Sequence, residues 1–334
     1  MSTCTMKTAF LESHGTPLRV ARVLRPQPGP GEVLVRIAAS GVNPLDIKIF
    51  DGAAAHARHL PPSILGLDMA GTVEAVGAGV TRYRKGDEVY GMTGGVGGHQ
   101  GSLAEFAAVD ADLVAVKPVN ISMREAAALP LVFITAWEGL VDRAAVVSGW
   151  KVLVHGGGGV GHMAIQIARS FGAEVIAADS EAKRTDIEQA GATFIDYRLE
   201  SVDDYLKRYT GGMGFDLVYD TAGGVALDAS FKAVRRFGHV VSCLGWGTHE
   251  LAPLSFRAAT YSGVFTLLPL LTGEGRRHHR DILREATRLV EGGEVVPRLD
   301  PRRFTLESVG DAYTAMKERS ARGKLVVDVA VTND

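Results

Sequence analysis

The segment VLVHGGGGVGHMA, residues 152–164, decides how the rest of the sequence reads. Gly156, Gly158 and Gly161 satisfy the spacing G-x-G-x-x-G, with Gly157, Gly159 and Val160 filling it. In a dinucleotide-binding turn the first glycine makes the tight bend. The second lets the backbone approach a pyrophosphate, and the third lets the helix pack closely on its strand. Amides at the start of the following helix then face the phosphate charge, aided by the helix dipole. Glycine supplies 40 of the 334 residues, so the spacing alone carries little weight.

Context carries it instead. VLV reads as a strand, and Met163, Ala164, Ile167 and Ala168 form one apolar face of the helix that follows. Asp179 ends the next apolar run, 18 residues after Gly161, where an acid can meet the ribose of a dinucleotide. The segment therefore reads as a nucleotide cradle and not as a flexible joint. A second glycine-rich stretch, GGVGGHQG (94–101), has no strand–helix unit around it and reads as a surface loop or lid. Neither stretch carries the Gly-Lys-Ser/Thr ending of an NTPase phosphate loop.

Working outward, KVLVH, EVIAA, TFID, DLVYD and HVVSCLG read as strands separated by helical segments, one of them running through VRR (234–236). Such alternation predicts a parallel sheet covered on both faces, an α/β architecture. Residues 1–123 differ, reading as short strands (MKTAF, PLRVARV, EVLVRIAAS, DMAGTVEAVG, DEVYGM) divided by turn residues. Between the two regions, residues 122–144 read as one helix, with Ser122 and Glu125 in capping-box spacing. From about 266 the tail offers a basic helix containing HHRDILREATRLVEGG, a polar helix at 306–320 and a last strand, KLVVDVAV.

The formal net charge is −2, which gives no reason to expect nucleic acid as a partner. No run of 18 apolar residues is present to span a bilayer, and the N-terminus lacks a secretory pattern, so a cytoplasmic protein is expected. Cys4 and Cys243 are the only cysteines, too few for a disulfide framework or a four-cysteine zinc site.

Several stretches together resemble the medium-chain dehydrogenase/reductase superfamily, in its zinc-independent quinone oxidoreductase-like branch. They are ASGVNPLDIKI (39–49), ILGLDMAGTVEAVG (64–77), RYRKGDEVYG (82–91), LPLVFITAWEGL (129–140), the glycine stretch, GATFIDYR (191–198) and GKLVV (323–327). The resemblance implies a GroES-like catalytic domain from residues 1–123 and 266–334. It also implies a Rossmann domain from 124–265, with the active site in the cleft between. Where zinc-dependent relatives carry a cysteine and a Gly-His-Glu run, this sequence has Ser40 and Gly66-Leu67-Asp68. A hydroxyl and an alkyl group cannot supply a catalytic zinc set, so no zinc is expected.

What remains is hydride transfer to an already electrophilic acceptor, a quinone or an α,β-unsaturated carbonyl. The resemblance places Asn43 and Thr135 near the nicotinamide and lets Trp246, after Gly245, form an aromatic wall with Phe265. For Asp46 a capping role is favoured over general acid chemistry. Phe50 stands where quinone reductases often carry a tyrosine, so no proton donor is evident. His155 and His162 read as locally bonded, and His278-His279 as solvated surface. For the cofactor, Ser180, Lys183, Arg184 and Tyr197 favour NADP through its 2′-phosphate, while Asp179 favours NAD. The alternatives are an NADH-dependent enone reductase, a metal-free alcohol dehydrogenase, or a crystallin-like or regulatory dinucleotide binder without turnover. Relatives pair the edge strands of their Rossmann sheets, so a homodimer through GVFTLL (263–268) is expected.

Overall fold

The computed structural model describes residues 4–330. In chain order the first elements are β1 (Thr5–Leu11), β2 (Arg19–Leu24), β3 (Glu32–Gly41), α1 (Pro44–Phe50), β4 (Ser63–Ile64), β5 (Asp68–Val76), β6 (Glu88–Met92), β7 (Phe106–Asp110), β8 (Val114–Val116), α2 (Met123–Ala127) and α3 (Pro130–Trp137). The middle of the chain gives β9 (Lys151–His155), α4 (Gly159–Ser170), β10 (Glu174–Asp179), α5 (Arg184–Gln189), β11 (Thr193–Asp196), α6 (Val202–Thr210), β12 (Phe215–Asp220), α7 (Val225–Ala233), β13 (Val234–Ser242), α8 (Ala252–Ser255) and β14 (Thr260–Gly263). The tail adds α9 (Leu268–Thr272), α10 (Arg276–Glu291), β15 (Phe304–Thr305), α11 (Val309–Lys317) and β16 (Val326–Asp328).

The chain divides into two compact units, one of residues up to Leu131 plus those from Leu267 onward, the other Val132–Thr266. The first is β-rich. Its larger sheet runs β15-β16-β3-β5-β6-β8, with β7 also on β3, and a smaller sheet runs β2-β1-β4. The last strand lies antiparallel to β3, Val326 opposite Gly41 and Val327 opposite Ser40. The second unit is a six-stranded sheet in the order β11-β10-β9-β12-β13-β14, parallel in every pairing. Its central strand buries Val152, Leu153 and Val154 completely, as a strand covered on both faces requires. The fold is thus a GroES-like β domain with a Rossmann-type α/β domain.

Three sequence expectations need correction. The helix expected over 122–144 is broken: α2 keeps the Ser122–Glu125 capping box, but Pro130 starts a new helix. Proline lacks the amide that would continue the first, and it disfavours helical backbone at Leu129. Residues 138–143 then widen into a π turn. There the Tyr219 hydroxyl donates to the Thr135 carbonyl at 2.6 Å, and Gly139 gives the ring room, since a Cβ there would sit 2.6 Å from Tyr219 Cζ. VRR, expected at a helix end, opens β13 instead. Finally, the sheet edge is Thr260–Gly263 and not GVFTLL, because Pro269 sits in the first turn of α9 and commits 268–272 to helix.

The stretch 94–101 is no lid. Gly94, Gly95 and Val96 are buried, and Gly101 donates to Ile64 O at 3.0 Å. A Cβ at Gly94 would lie 1.8 Å from Gln100 O, so the glycines serve close backbone packing. His279, expected on solvated surface, is buried on α10. It lies three, four and seven residues before Ile282, Leu283 and Ala286 on the apolar stripe.

Candidate active site

In the parallel-sheet unit, the predicted cofactor residues gather at the C-terminal ends of the strands. That is where open α/β sheets bind ligands. The chain leaves β9 at His155 and turns at Gly156, whose φ of +98° suits glycine alone. Gly161 closes the turn, since a Cβ there would lie 1.8 Å from Gly156 O. At Gly158, the residue before α4, a Cβ would meet nothing within 4 Å, so the mouth of the turn is open. The amides of Gly159, Val160 and Gly161 open that helix and lack partners within it. An open mouth lined by such amides fits a dinucleotide pyrophosphate.

Asp179 is tied into the same turn. One carboxylate oxygen accepts from Gly157 N and the other from Ser180 N, each at 2.6 Å. Ser180 leads a short 3-10 turn ending at Lys183, whose amine pairs with Asp186 at 3.5 Å. Arg184 bonds Glu181 at 2.7 Å and stacks over Phe194. Tyr197 is exposed just past β11, its amide on Asp179 O at 3.4 Å, and the Arg198 guanidinium lies 5.7 Å from its ring.

Gly245 is needed where it stands, because a Cβ would come within 2.1 Å of the Tyr261 hydroxyl. Beyond it Trp246 and Phe265 meet edge to face, 6.2 Å between centroids, and both keep exposed surface. Thr135 shares a helix face with Val132, which would touch a side chain at Gly159. Its hydroxyl lies 3.1 Å from that of Thr266, which donates to Glu138 at 2.7 Å. His155 is buried and bonds locally, to Ser230 Oγ at 2.8 Å and Ala226 O at 3.0 Å. Burial lowers its pKa, so the ring is neutral.

The first unit holds Asn43 and Asp46 in a buried polar cluster. The Asp46 carboxylate accepts from Asn43 N at 2.7 Å at the start of α1, the capping role the sequence favours. Its other oxygen is buried without a partner, and burial raises its pKa to about 7. Asn43 is fully buried and turned away from a ligand. Its Nδ2 donates to Asp68 at 2.9 Å and its Oδ1 accepts from the Lys324 ammonium. Asp68 also accepts from Leu131 N at 2.9 Å. Burial pushes the Asp68 carboxyl up and the Lys324 ammonium down. Ser40 Oγ lies 2.7 Å from Ser102 Oγ, which donates to Asp68 O at 2.9 Å.

Sequence reasoning passed over Lys324 and saw Asp68 only as a lost zinc position. The available signal was a charge inside an apolar run, LGLDMAG and GKLVV, since such residues are rarely buried unless paired. Among the described residues no three or more His, Cys, Asp or Glu side chains group as a metal site would.

Comparison with known proteins agrees with this geometry. Residues 29–119 match the family described as alcohol dehydrogenase GroES-like domain, and residues 159–279 the one described as zinc-binding dehydrogenase. The chain is 36% identical over 305 residues to 2-methylene-furan-3-one reductase of Solanum lycopersicum, covering 89% of this chain and 71% of that protein. The chain belongs to the medium-chain dehydrogenase/reductase superfamily. Within it, the chloroplastic NADPH-dependent alkenal/one oxidoreductase of Arabidopsis thaliana is 33% identical over 316 residues, 92% of this chain and 74% of that one. An alcohol dehydrogenase superfamily structure from Novosphingobium aromaticivorans superposes with a TM-score of 0.96 at 56% identity, over 98% of this chain and all of that one. The quinone oxidoreductase of Coxiella burnetii gives 0.83 at 27% identity, over 98% and 100%. Like these members of the superfamily, the chain is an oxidoreductase.

Proposed function

We propose that this dehydrogenase/reductase is an NADPH-preferring reductase of α,β-unsaturated carbonyls and quinones that works without zinc. The carrying observation is the cradle at 156–161, open at Gly158 and closed behind by Gly161, in a chain whose relatives are named as reductases of such acceptors. Bound there, the nicotinamide supplies the hydride. The protein's part is to hold and orient it: α4 amides at the pyrophosphate, Asp179, Ser180, Lys183 and Tyr197 at the adenosine end, Thr135 at the other end. Trp246 and Phe265 offer a flat wall for a planar acceptor.

Two features favour NADPH. The Asp179 oxygens are already engaged by two backbone amides. Tyr197 and Arg198 stand beside it, and among the described residues no carboxylate lies within ion-pair distance of the Arg198 guanidinium. A guanidinium suits bidentate recognition of a phosphate. The ionised Asp179 is the one observation that favours NADH, by accepting from ribose hydroxyls. Zinc is not invoked because Ser40 and Leu67 offer a hydroxyl and an alkyl group where a ligand set is needed. We further propose a homodimer through the exposed edge strand Thr260–Gly263, since an uncovered edge is an open pairing surface.

Parallel fluorescence titrations with NADPH and NADH, followed by NADPH oxidation with an alkenal, an enone and a simple quinone, test the reading. Tighter NADPH binding with turnover on these acceptors is expected. Binding of neither cofactor sinks the enzyme reading, and tighter NADH binding hands it to the Asp179 alternative.

A further inference from the structure

Hydride addition to an enone leaves an enolate, and a proton must still reach its α-carbon. The residues read from the sequence do not provide one. An asparagine amide does not titrate, and Asp46 is fixed at the start of α1, only 1% exposed.

The last strand provides another group. Its pairing with β3, and the bond from Val42 N to Leu325 O at 2.9 Å, bring Lys324 alongside the turn after Gly41. The ammonium bonds Asn43 Oδ1 and lies 3.7 Å from Asp68 Oδ2. Lys324 keeps 9% of its side-chain surface, while Asn43 and Asp68 keep none. An ammonium has three N–H donors. Asn43 and Asp68 account for two, and among the described residues the third meets no acceptor.

We propose that Lys324 is the proton donor of the reduction, an inference that rests on the function proposed above. The Nζ–H bond breaks and leaves its electron pair on nitrogen, while the enolate's electron pair forms the new C–H bond at the α-carbon. The neutral amine regains a proton from water. The charged groups facing Lys324 are the carboxyls of Asp68 and Asp46, which hold the proton on nitrogen, and burial opposes them and prevails. The Tyr313 phenol lies within electrostatic reach of Asp46, and its own titration is pushed far above neutrality. It therefore stays protonated. Asn43 and Asp68 keep the lysine in place, and its short supply of surface limits exchange with bulk water.

A plain counter-ion to Asp68 is the competing role, and Lys324→Arg separates the two. Arginine keeps the charge and the hydrogen bonds but does not release a proton near neutrality; Lys324→Met loses everything. Wild type, both variants and NADPH are assayed with an α-methyl enone. We expect one enantiomer at the α-carbon for wild type. In both variants we expect turnover lower by about 10²- to 10⁴-fold, the usual range for general acid catalysis. Residual product is expected to be scrambled at that carbon, with NADPH affinity within about twofold of wild type.

Independently of turnover, NMR titration of the lysine-15N-labelled protein without cofactor should show Lys324 losing its proton below the ordinary lysine range. Lys324→Arg with wild-type turnover, pH profile and enantiomer ratio leaves only the counter-ion and overturns the proposal. If the variants do not fold, the wild-type titration decides alone, and an ordinary lysine pKa overturns it. Wild type that reduces no enone fails at the earlier reading and takes this one with it.

Discussion

Replacing Asp46 by asparagine should stabilise the protein in alkaline solution and do little in acid. The folded state holds the Asp46 proton up to about pH 7, against 3.8 for an ordinary aspartate. A raised carboxyl pKa means the native state binds more protons than the unfolded one across that window, so stability falls as pH rises through it. At about 1.36 kcal/mol per unit, the penalty grows from about 1 kcal/mol near pH 4.5 to about 4 kcal/mol at pH 8. Asparagine avoids ionisation yet keeps an oxygen for Asn43 N, and its Nδ2 takes the place of the unpartnered oxygen. With about 2 cal/mol/K of unfolding entropy per residue, 4 kcal/mol corresponds to roughly 6 °C in Tm for a chain this long. Melting by circular dichroism at both pH values gives the difference between variant and wild type directly. Equal shifts at the two pH values, or a variant less stable at pH 8, would refute a buried carboxyl titrating near neutrality.

Other substitutions test the cofactor half. Gly158→Ala should fold normally, because its Cβ meets nothing within 4 Å, yet weaken NADPH binding at least about tenfold by filling the mouth of the turn, a loss of about 1.4 kcal/mol by titration. Gly161→Ala puts a Cβ 1.8 Å from Gly156 O and should lower Tm as well as abolish binding; an unaltered melting curve would mean the turn is looser than described. Asp179→Ser should shift selectivity toward NADPH by about tenfold, removing a carboxylate near a 2′-phosphate, while Lys183→Met should weaken NADPH and leave NADH unchanged; affinities for both cofactors check this. Trp246→Ala should raise KM for bulky acceptors several-fold with kcat little changed, as loss of a binding wall predicts. Light scattering should give twice the mass of one chain, and a single-chain mass removes the edge-strand dimer.

The Rossmann half was legible in the sequence because each glycine in the cradle answers a steric demand that only glycine meets. The apolar face of α4 and the Ser122–Glu125 box were equally local, and local signals survive folding unchanged. What escaped was set by partners distant in sequence. Pro130 ends one helix and starts another, but the π turn beyond it depends on Tyr219, whose ring is supplied by β12. The buried cluster depends on Asn43, Asp68 and Lys324 meeting across the sheet, and only the β3–β16 register says that they do. The surface reading of 94–101 failed for a related reason, since glycine composition cannot distinguish a mobile loop from backbone packed against backbone.

The pairing of β16 with β3 also dictates an order of events during synthesis. Val326 emerges from the ribosome about 285 residues after Gly41, its partner across the ladder. At bacterial or eukaryotic elongation rates of about 5–20 residues per second, that is a wait of roughly 15 to 60 s. Throughout it the open side of β3 lacks its strand and Asp68 lacks its cation. The parallel-sheet unit, whose strands all lie between Lys151 and Gly263, is complete before that wait ends. The nascent chain thus carries a finished cofactor domain while its β-rich domain still displays an unpaired edge, the state in which a chaperone has most to protect.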